Sequence, residues 1–225
     1  MKLKLFLYTL LFTAQSNATE IQPFEATYEV IRGGKVTGKQ TTLVEKLSGD
    51  KWIIKDSIIG TSGMASLIGF KRTETTEFIY QGNEIFATHH EMFQKAAFNK
   101  KSYTFDWQPT KSNYVIKHKD QNHWLDTQGK PVISSQLMPM VLAQAACRQQ
   151  DTVNLLVLKS TKVKPYQFNI SHQKTLIAER VYNDQQTKAS KTTLDPQRQC
   201  LPIEQSHQDN SKPLIVTRLI NFKWL

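Results

Sequence analysis

The sequence predicts a mainly β protein, in which one curved antiparallel sheet forms a half-barrel or barrel with one helix near residues 134–148. Three observations favour this fold. Apolar and polar residues alternate along about a dozen short segments, turn residues separate these segments, and a single segment has helical spacing. About a dozen strands exceed what an open twisted sheet usually holds, so we expect the sheet to curl.

The composition of the 225-residue chain is that of a globular protein with a hydrophobic core. The chain is 39% hydrophobic, 21% charged and 10% aromatic, which excludes a disordered or collagen-like protein. Its mean hydropathy is −0.45, and its one long apolar run lies at the N-terminus. These values also exclude a polytopic membrane protein.

The first 18 residues have the three regions of a secretory signal peptide. Lys2 and Lys4 form the basic region, residues 5–12 form the apolar core, and residues 16–18 supply the small side chains that a signal peptidase requires. The alternative is a membrane anchor, but the apolar core is shorter than the ~20 residues that span a bilayer. We therefore expect cleavage after Ala18, export to the periplasm and no membrane span in the mature chain.

The mature chain, residues 19–225, is predicted to be one β-rich periplasmic domain, because no repeat or linker divides it. Loss of the two leader lysines lowers the formal net charge from +10 to +8. A basic exported protein can meet anionic envelope polymers or envelope proteins. The alternative is that the scattered lysines only keep the protein soluble. Nucleic acid is not an expected partner outside the cytoplasm.

The strands are predicted from their period-two alternation, which begins where apolar Phe24, Ala26 and Tyr28 interleave with Glu25 and Thr27. Short strands joined by tight turns form an antiparallel meander. The predicted strands are residues 24–30, 41–47, 52–59, 73–80, 84–90, 101–107, 114–119, 123–126, 153–158, 166–171, 175–182, 189–194, 201–207 and 214–222.

The segment 134–148 is predicted to be a helix, because its apolar residues recur at helical spacing. Ser134 or Ser135 can provide the N-cap, and Pro139 is tolerated in the first turn. The apolar positions are Leu137, Val141, Leu142, Ala145 and Ala146.

Charged residues at mid-strand outer positions favour a water-soluble barrel over a transmembrane one, whose lipid-facing residues must be apolar. The charged residues assigned to these outer positions are Glu25, Glu29, Lys55, Glu74 and Lys117. We therefore expect a polar outer surface.

Cys147 and Cys200 are the two cysteines of the chain, and an even count in an oxidising compartment predicts a disulfide between them. The two cysteines are 53 positions apart in the sequence. Closing a loop of that length would stabilise the fold by about 4 kcal/mol in the chain-entropy model. The alternative is two buried free thiols.

Catalytic and metal-binding patterns are not evident. His89 and His90 are neighbours on a predicted strand, so they point to opposite faces and cannot chelate one ion; surface histidines are the expectation. Residues 60–63, Gly-Thr-Ser-Gly, lack the nucleophile-elbow pattern. Glu74 and Glu77 are interpreted as solvated charges on a polar strand face. We expect no enzyme activity, no cofactor and no metal.

The segment 58–70 is an apolar loop with three glycines and no charge before Lys71. Connections between strands are normally polar, so this loop is expected either to tuck into the core or to act as a lid or membrane-touching segment. Under the lid hypothesis, the loop and its flanking strands line a ligand site. The candidate ligand-binding residues are Trp52, Ile54, Ile58, Met64, Leu67, Ile68, Phe70, Phe78 and Tyr80.

Four stretches resemble a bacterial exported family catalogued as domain of unknown function 3108. They are Pro23-Phe24-Glu25-Ala26-Thr27-Tyr28 with Gly34 and Gly38, the apolar loop before Arg72-Thr73-Glu74, Tyr103-Thr104-Phe105-Asp106-Trp107, and Leu201-Pro202-Ile203-Glu204. The resemblance covers nearly all of the mature chain. It implies an envelope protein of a Gram-negative bacterium with a curved sheet similar to the lipoprotein-carrier half-barrels. It implies no reaction, cofactor or catalytic residue.

The sequence is compatible with two functions. In the first, the curved sheet encloses a cavity that binds or carries a lipid, an acyl chain or another apolar ligand. In the second, the sheet is a filled scaffold that assists envelope assembly through its surface. An open, uncharged interior would favour the first function, and a solid core with a broad exposed patch would favour the second.

Overall fold

A computed structural model describes residues 21–82, 84–119, 121–182 and 188–225 of the chain. The fold is mainly β, as predicted, and consists of one large sheet that is not closed into a complete barrel. The elements are β1 Phe24–Arg32, β2 Lys35–Ser48, β3 Lys51–Gly60, α1 Gly63–Leu67, β4 Lys71–Gln81, β5 Glu84–Ala96, β6 Asn99–Gln108, β7 Asn113–His118, β8 Gln121–Asp126, β9 Ile133–Ser134, α2 Met138–Cys147, β10 Thr152–Lys159, β11 Lys162–His172, β12 Leu176–Val181, β13 Lys188–Asp195, a 3₁₀ turn Pro196–Arg198, β14 Leu201–Asp209 and β15 Ile215–Trp224.

The sheet is almost entirely a meander of antiparallel neighbours. Its strand order is β8-β7-β6-β5-β4-β3-β2-β1-β15-β14-β13-β12-β11-β10-β9. Two pairings depart from simple hairpins: β1 pairs with β15, which joins Phe24 to Trp224, and β9 pairs in parallel with β10. The strands that are first and last in sequence therefore lie side by side in the middle of the sheet.

One edge of the sheet approaches strand β5 through the segment that precedes β9. The Ala87 N–H of β5 donates a hydrogen bond to the Val132 carbonyl at 3.0 Å. Both residues are fully buried. This contact draws the edge near β9 towards β5, so the sheet curves around an interior.

Helix α2 fills part of that interior and packs against strands β10, β12, β13 and β14. Its first turn begins at Met138, later than the predicted start, because Ser134 belongs to β9. Ser134 still supports the helix entry, since its Oγ accepts a hydrogen bond from the Leu137 N–H at 3.2 Å. Pro139 lies in the first turn, as expected.

A disulfide joins Cys147, at the end of α2, to Cys200, just before β14, with Cα atoms 5.8 Å apart. Gln199 and Cys200 both have positive φ, at 52° and 57°. Such a conformation is uncommon for residues other than glycine. The bond therefore fixes an irregular connection as well as the helix.

The core combines aromatic and aliphatic side chains from both halves of the sheet with α2. Trp52 and Phe78 stack with ring centroids 6.4 Å apart, and Phe105 packs edge-on against Tyr114. These four aromatic residues are at most 2% exposed. Burial of such large side chains is the main contribution to stability that the sheet can make.

Four local features differ from the prediction. Residues 63–67 form a helical turn, α1, where a loop was expected. Strand β9 was not predicted, because a strand of two residues shows no alternation. Glu74, assigned to the outer face, is only 6% exposed and faces the interior, whereas Glu77 is exposed. His90, expected at the surface, is fully buried.

Candidate functional site

A cavity of about 190 Å³ lies inside the curved sheet, bounded by β1–β4, α2, β14 and β15. Its walls are largely apolar. The apolar lining includes Phe24, Ile54, Ile58, Met140, Leu201 and Trp224. One end of the cavity is polar instead, with lining residues Gln40, Thr42, Asp56, Glu74, Gln136 and Gln144.

Strand register creates the polar end. Thr42 of β2 lies opposite Asp56 of β3, and Asp56 lies opposite Glu74 of β4. Residues directly opposite one another in a sheet point to the same face. Three polar side chains from adjacent strands therefore form one row inside the sheet.

Glu74 has one satisfied and one unsatisfied carboxylate oxygen. The Arg72 Nε donates to Glu74 Oε1 at 2.5 Å, whereas Oε2 is buried and has no hydrogen-bond partner among the described residues. An unsatisfied buried acceptor usually costs about 1–3 kcal/mol, and more when it is charged. Glu74 lines the cavity, so a ligand that donates a hydrogen bond there would remove this cost.

Asp56 is half-buried and lines the same cavity. The pKa of Asp56 is raised to about 7, mainly by burial and also by the neighbouring Glu74 charge. The hydrogen bond that Thr42 Oγ1 donates to Asp56 Oδ1 at 2.6 Å, together with the Arg72 charge, lowers the pKa in part. The cavity thus contains a carboxyl group that ionises near neutral pH.

A second polar cluster lies beside the cavity and anchors the β9 segment to the sheet. Thr76 Oγ1 donates to Gln136 Oε1 at 2.7 Å, and it lies 2.7 Å from His90 Nδ1 and 2.9 Å from Ser134 Oγ. His90 Nε2 is 3.3 Å from the Tyr103 hydroxyl. All five side chains are buried. Their mutual hydrogen bonds explain why polar groups are tolerated here.

His90 is neutral in this cluster. The pKa of His90 is lowered to about 3, mainly by burial and also by the nearby Arg72 and His89 charges. Its Nε2 lies 3.9 Å from Glu74 Oε2. Because the imidazole is uncharged at neutral pH, this contact is not an ion pair. His90 therefore leaves the negative charge of Glu74 without compensation from that side.

The structure divides the nine sequence-predicted ligand residues into three groups. Among the described residues, Ile54 and Ile58 line the cavity. Trp52 and Phe78 belong to the packed core, and the Tyr80 hydroxyl accepts a hydrogen bond from Arg148 at 2.8 Å beside α2. The loop residues lie elsewhere; they are Met64, Leu67, Ile68 and Phe70.

The predicted lid does not cover the cavity. Met64 is 70% exposed and Leu67 is 82% exposed, and α1 contains no buried residue. The loop folds back on the end of β3: a Cβ on Gly60 would lie 2.4 Å from the Ala65 carbonyl oxygen, so only glycine fits there. The cavity lies instead under α2.

A larger cleft, of about 560 Å³, opens near β10–β12 and β14. Much of its lining is exposed to solvent, including Lys164, Gln167 and His207. Its Asp209 is already paired with Lys188 at 4.0 Å and with Lys212 at 2.7 Å. The smaller cavity is the stronger candidate site, because one of its acidic groups, Glu74, is buried with an unsatisfied carboxylate oxygen.

The described ranges contain no cluster of metal ligands and no candidate membrane-spanning helix. In these residues, no group of three histidine, cysteine, aspartate or glutamate side chains is placed to hold a metal ion. No helix in the same ranges has the length and apolar character needed to cross a membrane. The predicted signal peptide, residues 1–18, lies outside the described residues.

Sequence reasoning missed Asp56 and Glu74 as site residues. Both lie in correctly predicted strands, but a carboxylate within an alternating pattern is usually solvated. The available signal was that Asp56 lies within an apolar segment in phase with Ile54, and that Glu74 is in phase with Thr76; both Ile54 and Thr76 are buried. That signal becomes specific only when the register between strands is known.

The curved sheet, the interior helix and the cavity beneath that helix define a β-barrel-like protein. No protein-family model matches the chain, and no curated protein matches it by sequence. The chain is similar in structure to a crystal structure of a beta-barrel-like protein of domain of unknown function DUF1849 from Brucella abortus. The TM-score is 0.62 at 10% sequence identity, and the match covers 92% of this chain and 100% of the other. This likeness supports the fold alone, and the resemblance to domain of unknown function 3108 is not confirmed.

Proposed function

We propose that this protein binds or carries a small amphiphilic ligand, with an apolar body and a hydrogen-bond-donating head group, in the cavity beneath α2. The observation that carries the proposal is the cavity itself: apolar walls lead to a polar end where Glu74 Oε2 is buried without a partner. Ligand sites in proteins typically combine apolar walls with a few well-placed polar groups.

The volume of the cavity limits the apolar part of the ligand. About 190 Å³ is somewhat larger than the ~150 Å³ of an engineered cavity that binds benzene. This space suits an alkyl segment of roughly eight carbons or a small ring. Burying eight methylene groups contributes about 6 kcal/mol, and much of that is offset by the cost of association. The head group therefore decides the affinity.

The charges around the polar end favour an ammonium or hydroxyl head group over a carboxylate. Arg72 compensates one of the two acidic charges, so the ionised pair Asp56 and Glu74 leaves an excess negative charge. On the opposite wall, Arg198 is already paired with Asp195 at 3.5 Å. A carboxylate ligand would be repelled, and an ammonium group would be attracted and would hold Asp56 in its ionised form.

The wider setting of this proposal is the bacterial envelope. The signal-peptide pattern supports a periplasmic location, and the resemblance to domain of unknown function 3108 supports a carrier-like half-barrel in that compartment. No step of the proposal requires catalysis or a cofactor. The competing function, an envelope scaffold acting through its surface, is favoured by exposed apolar side chains such as Met64, Leu67 and Phe98.

A titration with three ligands of equal chain length tests the proposal. Octylamine, octanol and octanoate are titrated into the protein at pH 8 by isothermal calorimetry, with quenching of Trp224, which lines the cavity, as a second readout. We expect octylamine to bind at least tenfold more tightly than octanoate, with octanol between them. Asp56→Asn should reduce this preference at least tenfold, whereas Asp50→Asn, at an exposed turn, should not change it.

Two outcomes would contradict the proposal in different ways. In the first, none of the three ligands binds the wild type, and Ala143→Phe, which fills the cavity, has no effect on any ligand isolated with the protein. The cavity is then not a binding site, and the scaffold function replaces the proposal. If the three ligands bind equally and Asp56→Asn changes nothing, the cavity binds apolar ligands without selecting a head group.

A further inference from the structure

We propose that the end of the sheet that carries α1 and the β5–β6 turn is a docking surface for an anionic lipid bilayer. This surface, the basic rim, is defined by the exposed apolar residues Met64, Leu67 and Phe98 and by the lysine row Lys71, Lys95 and Lys100. The inference concerns a different surface from the cavity and does not depend on ligand binding.

The apolar part of the basic rim is exposed to an unusual degree. Met64 is 70% exposed, Leu67 is 82% exposed, and Phe98 is fully exposed. The two turns that carry these side chains are held together, because the Ala97 N–H donates to the Ile68 carbonyl at 2.6 Å. Large apolar side chains grouped at one protruding end are typical of a site that binds a membrane or another apolar surface.

The lysine row follows from strand register. Lys71 of β4 lies directly opposite Lys95 of β5, and Lys95 lies directly opposite Lys100 of β6. All three are exposed, and within the described ranges none forms an ion pair with an acidic side chain. Like charges directly opposite one another destabilise a sheet. An anionic partner would offset this repulsion.

An anionic bilayer fits this combination better than a protein partner does. Lysines near a membrane surface are attracted to anionic head groups, while adjacent apolar side chains enter the interface. Phe98 has no side-chain burial at all, which suits insertion into fluid acyl chains rather than packing within a rigid groove. Lysine side chains can also extend to keep their charge at the head groups while their stems cover apolar surface.

The basic rim lies next to the end of the cavity. Ile59 is opposite Lys71 in the register, and the preceding residue, Ile58, lines the cavity. Docking of the rim would therefore bring that end of the sheet close to the lipid surface. A carrier of amphiphiles would need such an approach, although the rim can be tested by itself.

Vesicle binding tests the basic rim directly. The protein is expressed with its own N-terminal segment, purified without detergent, and sedimented with vesicles of phosphatidylcholine alone or of phosphatidylcholine and phosphatidylglycerol in equal parts. We expect binding to the anionic vesicles that weakens as salt is added. The variant Lys71→Gln, Lys95→Gln, Lys100→Gln should bind roughly a hundredfold less tightly at low salt.

A matched control removes the same charge elsewhere. The variant Lys117→Gln, Lys119→Gln, Lys162→Gln alters three other exposed lysines and should change the affinity less than threefold. Leu67→Ser with Phe98→Ser should weaken binding at least tenfold while retaining the salt dependence. Circular dichroism and thermal melting identify any variant that is misfolded. We expect every variant to fold, because all these side chains are exposed.

Three results would overturn the proposal. In the first, the wild type does not sediment with anionic vesicles. In the second, the lysine-row variant binds as tightly as the wild type. In the third, the two lysine variants lose affinity equally. The first result would leave a protein partner as the occupant of the exposed apolar side chains. The third would mean that net charge alone, and not the basic rim, attracts the protein to the vesicles.

Discussion

Replacing Asp56 by asparagine should change how the stability of the protein depends on pH. Asp56 has a pKa of about 7 in the folded protein, against an ordinary value of 3.8. Well below pH 3.8 the carboxyl is protonated in both the folded and the unfolded state, so it does not affect the unfolding free energy. As the pH rises towards 7, the unfolded chain loses this proton first, and the folded state is progressively destabilised.

The magnitude follows from the two pKa values. The difference between the two pKa values, 3.8 and about 7, corresponds to a loss of roughly 4 kcal/mol in the unfolding free energy. This loss is complete above about pH 7. Asparagine cannot ionise, and its side-chain oxygen can still accept the Thr42 hydrogen bond. We therefore expect Asp56→Asn to match the wild type within about 1 kcal/mol at pH 4 and to be more stable by up to about 4 kcal/mol at pH 8.

Urea denaturation at pH 4, 6 and 8, followed by tryptophan fluorescence, measures this difference. The contributions of all other titrating groups largely cancel when the variant is compared with the wild type at each pH. Asp50→Asn, at an exposed turn, is the control and should give a difference that does not vary with pH. A constant difference for Asp56→Asn would refute the reasoning, and so would a loss of relative stability at pH 8.

Three further predictions concern the disulfide, the core and the N-terminus. Replacing Cys147 and Cys200 by alanine should lower the unfolding free energy by about 4 kcal/mol and the melting temperature by roughly 8–16 °C, and an unchanged melting temperature would mean that the bond contributes little. Phe105→Ala should cost about 3–5 kcal/mol in denaturant unfolding, whereas Phe98→Ala should stay within about 0.5 kcal/mol; similar values for both would contradict the assigned burial. Intact-mass analysis of protein from the periplasm should find a chain that begins at Thr19, and a retained leader on that protein would disprove the predicted cleavage.

The strand pattern could be predicted from the sequence because local alternation determines it. Each of the fourteen predicted strands overlaps an observed strand in the same order, and α2 lies within the predicted helix. The pairing of β1 with β15 could not be predicted, because no local signal specifies which distant strand will be a neighbour. The same holds for β9, whose two residues are too few for any periodicity.

The interior of the sheet was predicted less well, and a β-bulge explains one of the errors. In β5, Ala87 pairs with Phe78, but His89 pairs with Glu77, so one extra residue stands between them. The bulge reverses the alternation: Ala87 and His90 both point inward, and His89 lies on the outer side, where it contacts Asp106 at 2.6 Å. Without the bulge, the His89 side chain would point to the same face of the sheet as Ala87.

The position of β1 beside β15 has a consequence for how the protein folds. The hairpins of β2–β8 and of β10–β14 join neighbours in sequence and can form early. The seam between β1 and β15 pairs Phe24 with Trp224, so it can close only after nearly the whole domain has been synthesised. Until then β1 presents an unpaired edge that can recruit strands of other chains. A newly synthesised molecule is therefore most vulnerable to aggregation at β1 and β15, the strand pair that lies in the centre of the finished sheet.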